Sequence, residues 1–227
     1  MTVPRYIALI PAAGIGARMG SVSPKQYALL DGKPMLQHVM ETFSAAALIS
    51  HTFVVVSAED GYVHALPAIA RTTVLRCGGP TRQVSVTNGL MAIAASVSQD
   101  DWILVHDAAR PGLTEALIEK LIAFVKDDKV GGLLAVPVVD TIKRSDGYGR
   151  AEATVARDAL WAAQTPQMFR HGQLLQALQQ VVAATDEASA IEAMGHHPKL
   201  VEGSARNFKV TLPQDLLLAE LYLKGSA

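Results

Sequence analysis

The chain has 227 residues, half of them hydrophobic and 18% charged, with a formal net charge of −1. That balance excludes a disordered or polyelectrolyte chain and offers no basic field for nucleic acid or an acidic membrane, so neither is expected as a partner. A single cysteine, Cys77, excludes an internal disulfide and a cysteine-rich zinc site, and fits a reducing compartment.

The first apolar run, Tyr6–Ile10, is strand-sized and is cut by Pro11. It has neither the basic start nor the length of a signal segment. The longest run, near Leu133–Val139, is broken by a proline and falls far short of the roughly 20 residues of a membrane span. A soluble, unexported, cytoplasmic protein is expected.

Along the chain, short β-branched runs alternate with helical patterns. Strands are predicted at Tyr6–Ile10, Thr52–Ser57, Thr72–Arg76, Trp102–His106, Gly132–Val138, Lys199–Val201 and Asn207–Thr211. They are apolar on both faces, as strands covered by helices on both sides must be. Pro34 stands where a first helical residue would, ahead of Leu36, Val39, Met40 and Phe43. Val86, Leu90, Ile93 and Val97 mark a second helix. Thr114 reads as the N-cap of a third, with its stripe of Leu117, Ile118, Leu121, Ile122 and Val125. Gln173–Val182, Glu187–Met194 and Pro213–Leu223 complete the set.

This alternation predicts an α/β fold: a Rossmann-like, mostly parallel, doubly wound sheet forming one domain over 1–227. From Asp140 to Trp161 the chain turns polar around Ser145-Asp-Gly-Tyr-Gly149, and Asp-Gly between extended segments signals a hairpin. The stretch is too small for its own core and predicts a projecting β-hairpin arm.

Ligands on such sheets bind beyond the carboxyl ends of the strands. The first strand is followed there by Pro11-Ala-Ala-Gly14-Ile-Gly16-Ala-Arg18-Met-Gly20. Glycines let backbone N–H groups approach a phosphate. Met19 departs from the dinucleotide fingerprint, and the Gly-Lys-Ser/Thr of a Walker loop is absent. Two cations, Arg18 and Lys25, flank the loop, which suits a triphosphate and the charge developed on its cleavage. The plainer alternative is a flexible loop with surface cations.

Asp107, in Val105-His-Asp-Ala-Ala-Arg-Pro111, ends the fourth predicted strand. Mg²⁺ on a nucleotide takes one or two protein carboxylates, so one Asp suffices. An Asp107–Arg110 ion pair closing a turn fits the residues equally well. Gly78-Gly79, Arg82 and Ser85 follow the third strand, where a tight turn brings backbone groups and a hydroxyl to a base edge, or merely starts a helix. Arg157 and Lys209 on their own read as solvated cations. His196-His197 point apart and do not make a metal pair. Asp186-Glu187 reads as a helix N-terminal cap. Cys77 reads as a small buried apolar residue.

Taken in order, PAAGIGARMG, SPKQY, GKPML, GG with R-x-x-SV, VHDAARP, DTIKR, TVARDALWAAQTPQ, TDEASA and NFKVT resemble the 2-C-methyl-D-erythritol 4-phosphate cytidylyltransferases. The stretches span residues 11–211. The resemblance implies a reaction of CTP with the polyol phosphate, giving the cytidyl-diphosphate product and pyrophosphate, with Mg²⁺ as cofactor. It implies that Arg18 and Lys25 stabilise charge on the α-phosphorus and leaving group, and that Asp107 holds the metal. Arg157 and Lys209 would orient the attacking phosphate, with Arg110, Thr141 and Thr165 nearby. Ala12, Ala13, Gly79 and Ser85 would surround the cytosine, with Gly14 and Gly16 in the nucleotide loop. A homodimer with exchanged arms is also implied.

One departure stands out. Where the family often places an acidic residue after Gly78-Gly79, this chain has Pro80, which keeps a carbonyl but has no side-chain acceptor. Cytosine recognition then falls to backbone groups and Ser85. A cytidylyltransferase for another polyol phosphate, such as ribitol 5-phosphate, and a nucleotide-binding module without turnover are the alternatives left open.

Overall fold

The computed structural model describes residues 3–14 and 24–225. Gly16 and Arg18 lie outside the described residues. The elements in chain order are β1 (Tyr6–Pro11), β2 (Leu29–Leu30), β3 (Lys33–Pro34), α1 (Met35–Ala45), β4 (Ile49–Val55), β5 (Thr72–Leu75), α2 (Arg82–Ile93), β6 (Trp102–Val105), α3 (Glu115–Val125), β7 (Gly132–Pro137), β8 (Ile142–Ser145), β9 (Ala151–Val155), β10 (Trp161–Arg170), α4 (His171–Gln180), α5 (Glu187–Ala193), β11 (Lys199–Glu202) and α6 (Pro213–Lys224).

The central sheet has the order β11-β7-β10-β6-β1-β4-β5. Its pairings are parallel except along β10, which runs antiparallel to both β6 and β7. The mostly parallel α/β sheet is therefore as the alternation implied. Side chains of β1 show why it reads apolar throughout. Ala8 and Ile10 pack into the layer formed with α1 and α3, around Phe43 and Leu121. Ile7 and Leu9 face the opposite layer, with Leu90 of α2, Leu174 of α4 and Ile191 of α5. Successive side chains of a strand point to opposite faces, so a strand covered twice must be apolar at every position.

Three local readings differ from expectation. Pro34 precedes α1 as its N-cap with extended backbone, because its partner in the short β2–β3 ladder is Leu29; the helix begins at Met35. Asn207–Thr211 is not a strand. A 3₁₀ turn takes Ala205–Asn207, and the segment beyond it docks on the VHDAARP loop through the Val210 N–H on the Ala109 carbonyl at 2.8 Å. β10 went unpredicted because a proline sits inside it, and Pro normally marks an edge or a bulge. A bulge is what the strand contains: its register against β7 shifts between Ala163 and Gln167, bracketing Gln164-Thr-Pro166.

The helix starts follow their signals. Thr114 accepts the Leu117 N–H at 3.3 Å, and Asp186 accepts the Ser189 N–H at 2.9 Å. The polar stretch after β7 forms the two-stranded β8–β9 hairpin, with Asp146 capping its turn through the Tyr148 and Arg150 N–H groups.

Candidate active site

Pro11–Gly14, at the carboxyl end of β1, opens onto a cleft of about 320 Å³. Its wall is completed by Lys25 and Gln26, by Gly79–Arg82 and Ser85 at the start of α2, by Asp107–Ala109 after β6, and by Lys209 and Thr211. This is the crevice expected for a ligand on a parallel sheet.

The walls are built by specific close approaches. Gly78 is required where it stands: a Cβ there would lie 2.3 Å from the Ala13 Cβ and 2.8 Å from the Val56 carbonyl oxygen. The glycine thus lets the loop after β5 close against the loop after β1. Gln26 donates from Nε2 to the Ala12 carbonyl at 2.7 Å and fixes the first residues of the glycine loop. Ser85 accepts the Gly79 N–H at 3.0 Å and donates to the Thr81 carbonyl at 2.9 Å. Its hydroxyl therefore shapes the turn that carries Gly79 and Pro80. Lys25 reaches the Val210 carbonyl at 3.0 Å, tying the first loop to the NFKVT segment.

Asp107 is the electrostatic centre. Its Oδ1 accepts from Arg82 Nε at 2.8 Å, and its Oδ2 lies 2.8 Å from Lys209 Nζ and 3.6 Å from Arg110 Nε. Burial works against its charged form, yet Arg82, Lys209 and Arg110 hold the carboxyl far below the usual carboxylate range. Arg82 is anchored from behind. Its Nη1 and Nη2 meet the two oxygens of Glu187 at 2.6 and 2.9 Å, a bidentate pair with a fully buried carboxylate. Burial disfavours the guanidinium charge, but Glu187 and Asp107 raise its affinity for the proton above that of an ordinary arginine.

Behind Asp107 runs a neutral chain of hydrogen bonds. The Asp107 N–H donates to Thr165 Oγ1 at 3.1 Å, and that hydroxyl lies 2.9 Å from His106 Nδ1. His106 Nε2 lies 3.1 Å from the Arg110 carbonyl, which can only accept. The ring is therefore the Nε2–H tautomer, and Nδ1 accepts from the Thr165 hydroxyl. Burial pushes this imidazole down to about 4. The unfolded chain takes up this proton near the ordinary value of about 6.5, whereas the folded chain does so only near 4. Stability from the neutral ring is complete above pH 6.5 and is lost as the pH falls from 6.5 to 4. The expected loss is roughly 3 kcal/mol. Urea unfolding across this range will show a steeper acid decline for the native chain than for His106→Gln; equal slopes would refute the assignment.

The other anticipated residues are dispersed. Arg110 sits just beneath the cleft, its Nη1 on the Asn207 carbonyl at 2.8 Å and its Nη2 on the Ala163 carbonyl at 3.3 Å. The Arg110 contact of the ion-pair reading is thus present, beside two closer cations. Thr165 is buried, its hydroxyl engaged by His106 and Asp107. Thr141 and Arg157 lie exposed in the arm, with the Arg157 guanidinium on the Val139 carbonyl. Among the described residues, the cleft lining includes no arm residue.

Sequence reasoning missed Gln26 as a loop clamp and Glu187 as the partner of Arg82. Glu187 reads as a first-turn acid after the Asp186 cap, its commonest role, and its partner lies 105 residues away. Only a three-dimensional arrangement could show the pair.

Comparison with known proteins converges on one family. The family model for 2-C-methyl-D-erythritol 4-phosphate cytidylyltransferase (IspD) matches residues 6–225. A protein of that name from Nitrosomonas eutropha is 54% identical, over 98% of each chain. A crystal structure titled 4-diphosphocytidyl-2C-methyl-D-erythritol synthase superposes with a TM-score of 0.86 at 41% identity, covering 97% of this chain and 99% of the other. The Francisella tularensis cytidylyltransferase follows at a TM-score of 0.82 and 36% identity, covering 96% of this chain and 99% of its own. With matches of this extent laid over a cleft of Gly loop, lysines and one cation-bound aspartate, the chain belongs to the 2-C-methyl-D-erythritol 4-phosphate cytidylyltransferase family.

Proposed function

We propose that this cytidylyltransferase joins CTP to 2-C-methyl-D-erythritol 4-phosphate, giving 4-diphosphocytidyl-2-C-methyl-D-erythritol and pyrophosphate for isoprenoid precursor synthesis. The observation that carries the reading is the Asp107 carboxylate at the end of β6, gripped by three cations inside the cleft. An oxygen of the polyol phosphate attacks the α-phosphorus of CTP, and the bond from that phosphorus to the bridging oxygen breaks. Such a step needs positioning and charge neutralisation and no covalent enzyme intermediate.

In this reading Ala12, Ala13, Gly14, Gly79 and Ser85 define the nucleotide end, with Gly16 in the same loop. Arg18 and Lys25 stabilise charge on the α-phosphorus and on the departing pyrophosphate. Lys209 orients the attacking phosphate; with its side chain 38% exposed, it is the least buried of the three cations on Asp107. Arg157 and Thr141 reach the acceptor from the arm. Arg110 and Thr165 act from beneath by holding Asp107 and the loop.

Mg²⁺ fits this donor set. Among the described residues Asp107 is the one carboxylate lining the cleft. One carboxylate with triphosphate oxygens and water satisfies the ion. When bound, the ion supplies charge neutralisation and orientation on the triphosphate.

The arm supports a homodimer in which each arm completes the partner's site. Among the described residues no helix is long and apolar enough to cross a membrane. CTP as donor and the half-buried free thiol of Cys77 support work in the cytoplasm.

The deciding experiment measures pyrophosphate release over a panel of nucleotides and polyol phosphates. Release is expected only with CTP, Mg²⁺ and methylerythritol 4-phosphate. Equal kcat/KM with ribitol 5-phosphate would overturn the acceptor assignment.

A further inference from the structure

Glu187 is a fully buried carboxylate that does not line the cleft, yet it is held in place with care. Gln167 of β10 grips both its neighbours: its Nε2 donates to Asp186 Oδ2 at 2.8 Å, and its Oε1 accepts the Ala188 N–H at 2.7 Å. Asp186 is itself fixed by a reciprocal cap with Ser189. The start of α5 is therefore locked to the strand that also places Thr165 against the Asp107 N–H. From this anchor Glu187 takes both terminal nitrogens of Arg82 and leaves Nε for Asp107.

The charge balance gives this geometry a purpose. Two carboxylates, Asp107 and Glu187, face three cations, Arg82, Arg110 and Lys209. Without Glu187, one carboxylate would face all three, and Arg82 would be free to turn its terminal nitrogens on Asp107. A carboxylate so neutralised is a poor partner for a divalent cation. We propose that Glu187 is a positioning residue which, by engaging Arg82, keeps Asp107 available to the metal on CTP. The inference rests on the reading of Asp107 as metal ligand, and deepens it.

The readout is the factor by which Mn²⁺ tightens CTP binding, measured by calorimetry on the full chain with and without Mn²⁺. Polyol phosphate is left out, so no turnover is involved. Asp107→Asn is the control: if it leaves the factor unchanged, the metal reading itself fails. If Asp107→Asn abolishes the factor, Glu187→Gln is expected to lower it roughly tenfold, the usual scale for partners behind a ligand. The double variant Arg82→Gln with Glu187→Gln removes one charge of each sign and is expected to return the factor to near its native value. A Glu187→Gln factor equal to native overturns the proposal, as does a loss that the double variant fails to restore. Should Glu187→Gln not fold, Glu187→Asp, which keeps the charge but shortens the reach to Arg82, takes its place: a lowered factor that the double variant restores supports the proposal, and a factor equal to native overturns it. Failure of both to fold would make Glu187 a structural residue and also overturn it.

Discussion

Asp107→Asn is expected to lower kcat by roughly 10²–10³, with a far smaller change in KM for the polyol phosphate. Asparagine keeps the shape and the N–H bond to Thr165 but removes the anion on which Arg82, Lys209 and Arg110 converge. Three cations then repel one another, and, on the proposed reading of Asp107, the cation on CTP loses its protein ligand. The diagnostic measurement is rate against Mg²⁺ concentration: the variant's half-saturation should move strongly upward. A native curve with a lowered plateau would leave Asp107 as a holder of side chains only.

Mixing two inactive variants should restore activity, the second large effect. Arg157 sits in the exposed arm, while the cleft is lined from the sheet side. If each arm serves the neighbouring subunit, a site combines one chain's cleft with the other's arm. Arg18→Ala and Arg157→Ala chains, each near background alone, are unfolded and refolded together. In a mixed dimer, one site pairs the intact cleft of the second variant with the intact arm of the first, and the other site carries both defects. About half the dimers are mixed, so roughly a quarter of all sites recover full activity. Exchange is verified by co-purification of differently tagged chains. Verified exchange with no recovered turnover would place Arg157 in its own subunit's site.

Legibility from sequence followed burial. β1, β6 and α3 were readable because each is apolar wherever the fold covers it: all four residues of β6 are buried. β10 was not, because its first three residues are exposed and its middle is a bulge of Gln, Thr and Pro. Bulges beside sites re-aim a side chain, and here the re-aimed one is Thr165. The segment Asn207–Thr211 imitated a strand through its alternating Phe208 and Val210. Both pack, however, into the small cluster under α6 and not into the sheet. At the cleft, the glycine loop, Lys25 and Asp107 could be named from local motifs, and Lys209 from the family resemblance alone. The Arg82–Glu187 pair could not, since sequence gives no hint that a first-turn acid on α5 meets the start of α2.

The way the arm joins the sheet has a consequence for how such a protein diversifies. β7 and β10 are antiparallel neighbours, and their ladder continues to the Val138 N–H on the Leu160 carbonyl at 3.0 Å. The chain leaves the sheet and returns to it one rung apart. Everything between is, in topological terms, a long hairpin loop, and the closure entropy of such a loop grows only logarithmically with length. Insertions or deletions there need not re-thread a strand or alter the register that fixes Asp107. Variation in the segment bearing Thr141 and Arg157 is thereby uncoupled from the strand ends that line the cleft, so a lineage can lengthen or trim one loop while the cleft keeps its geometry.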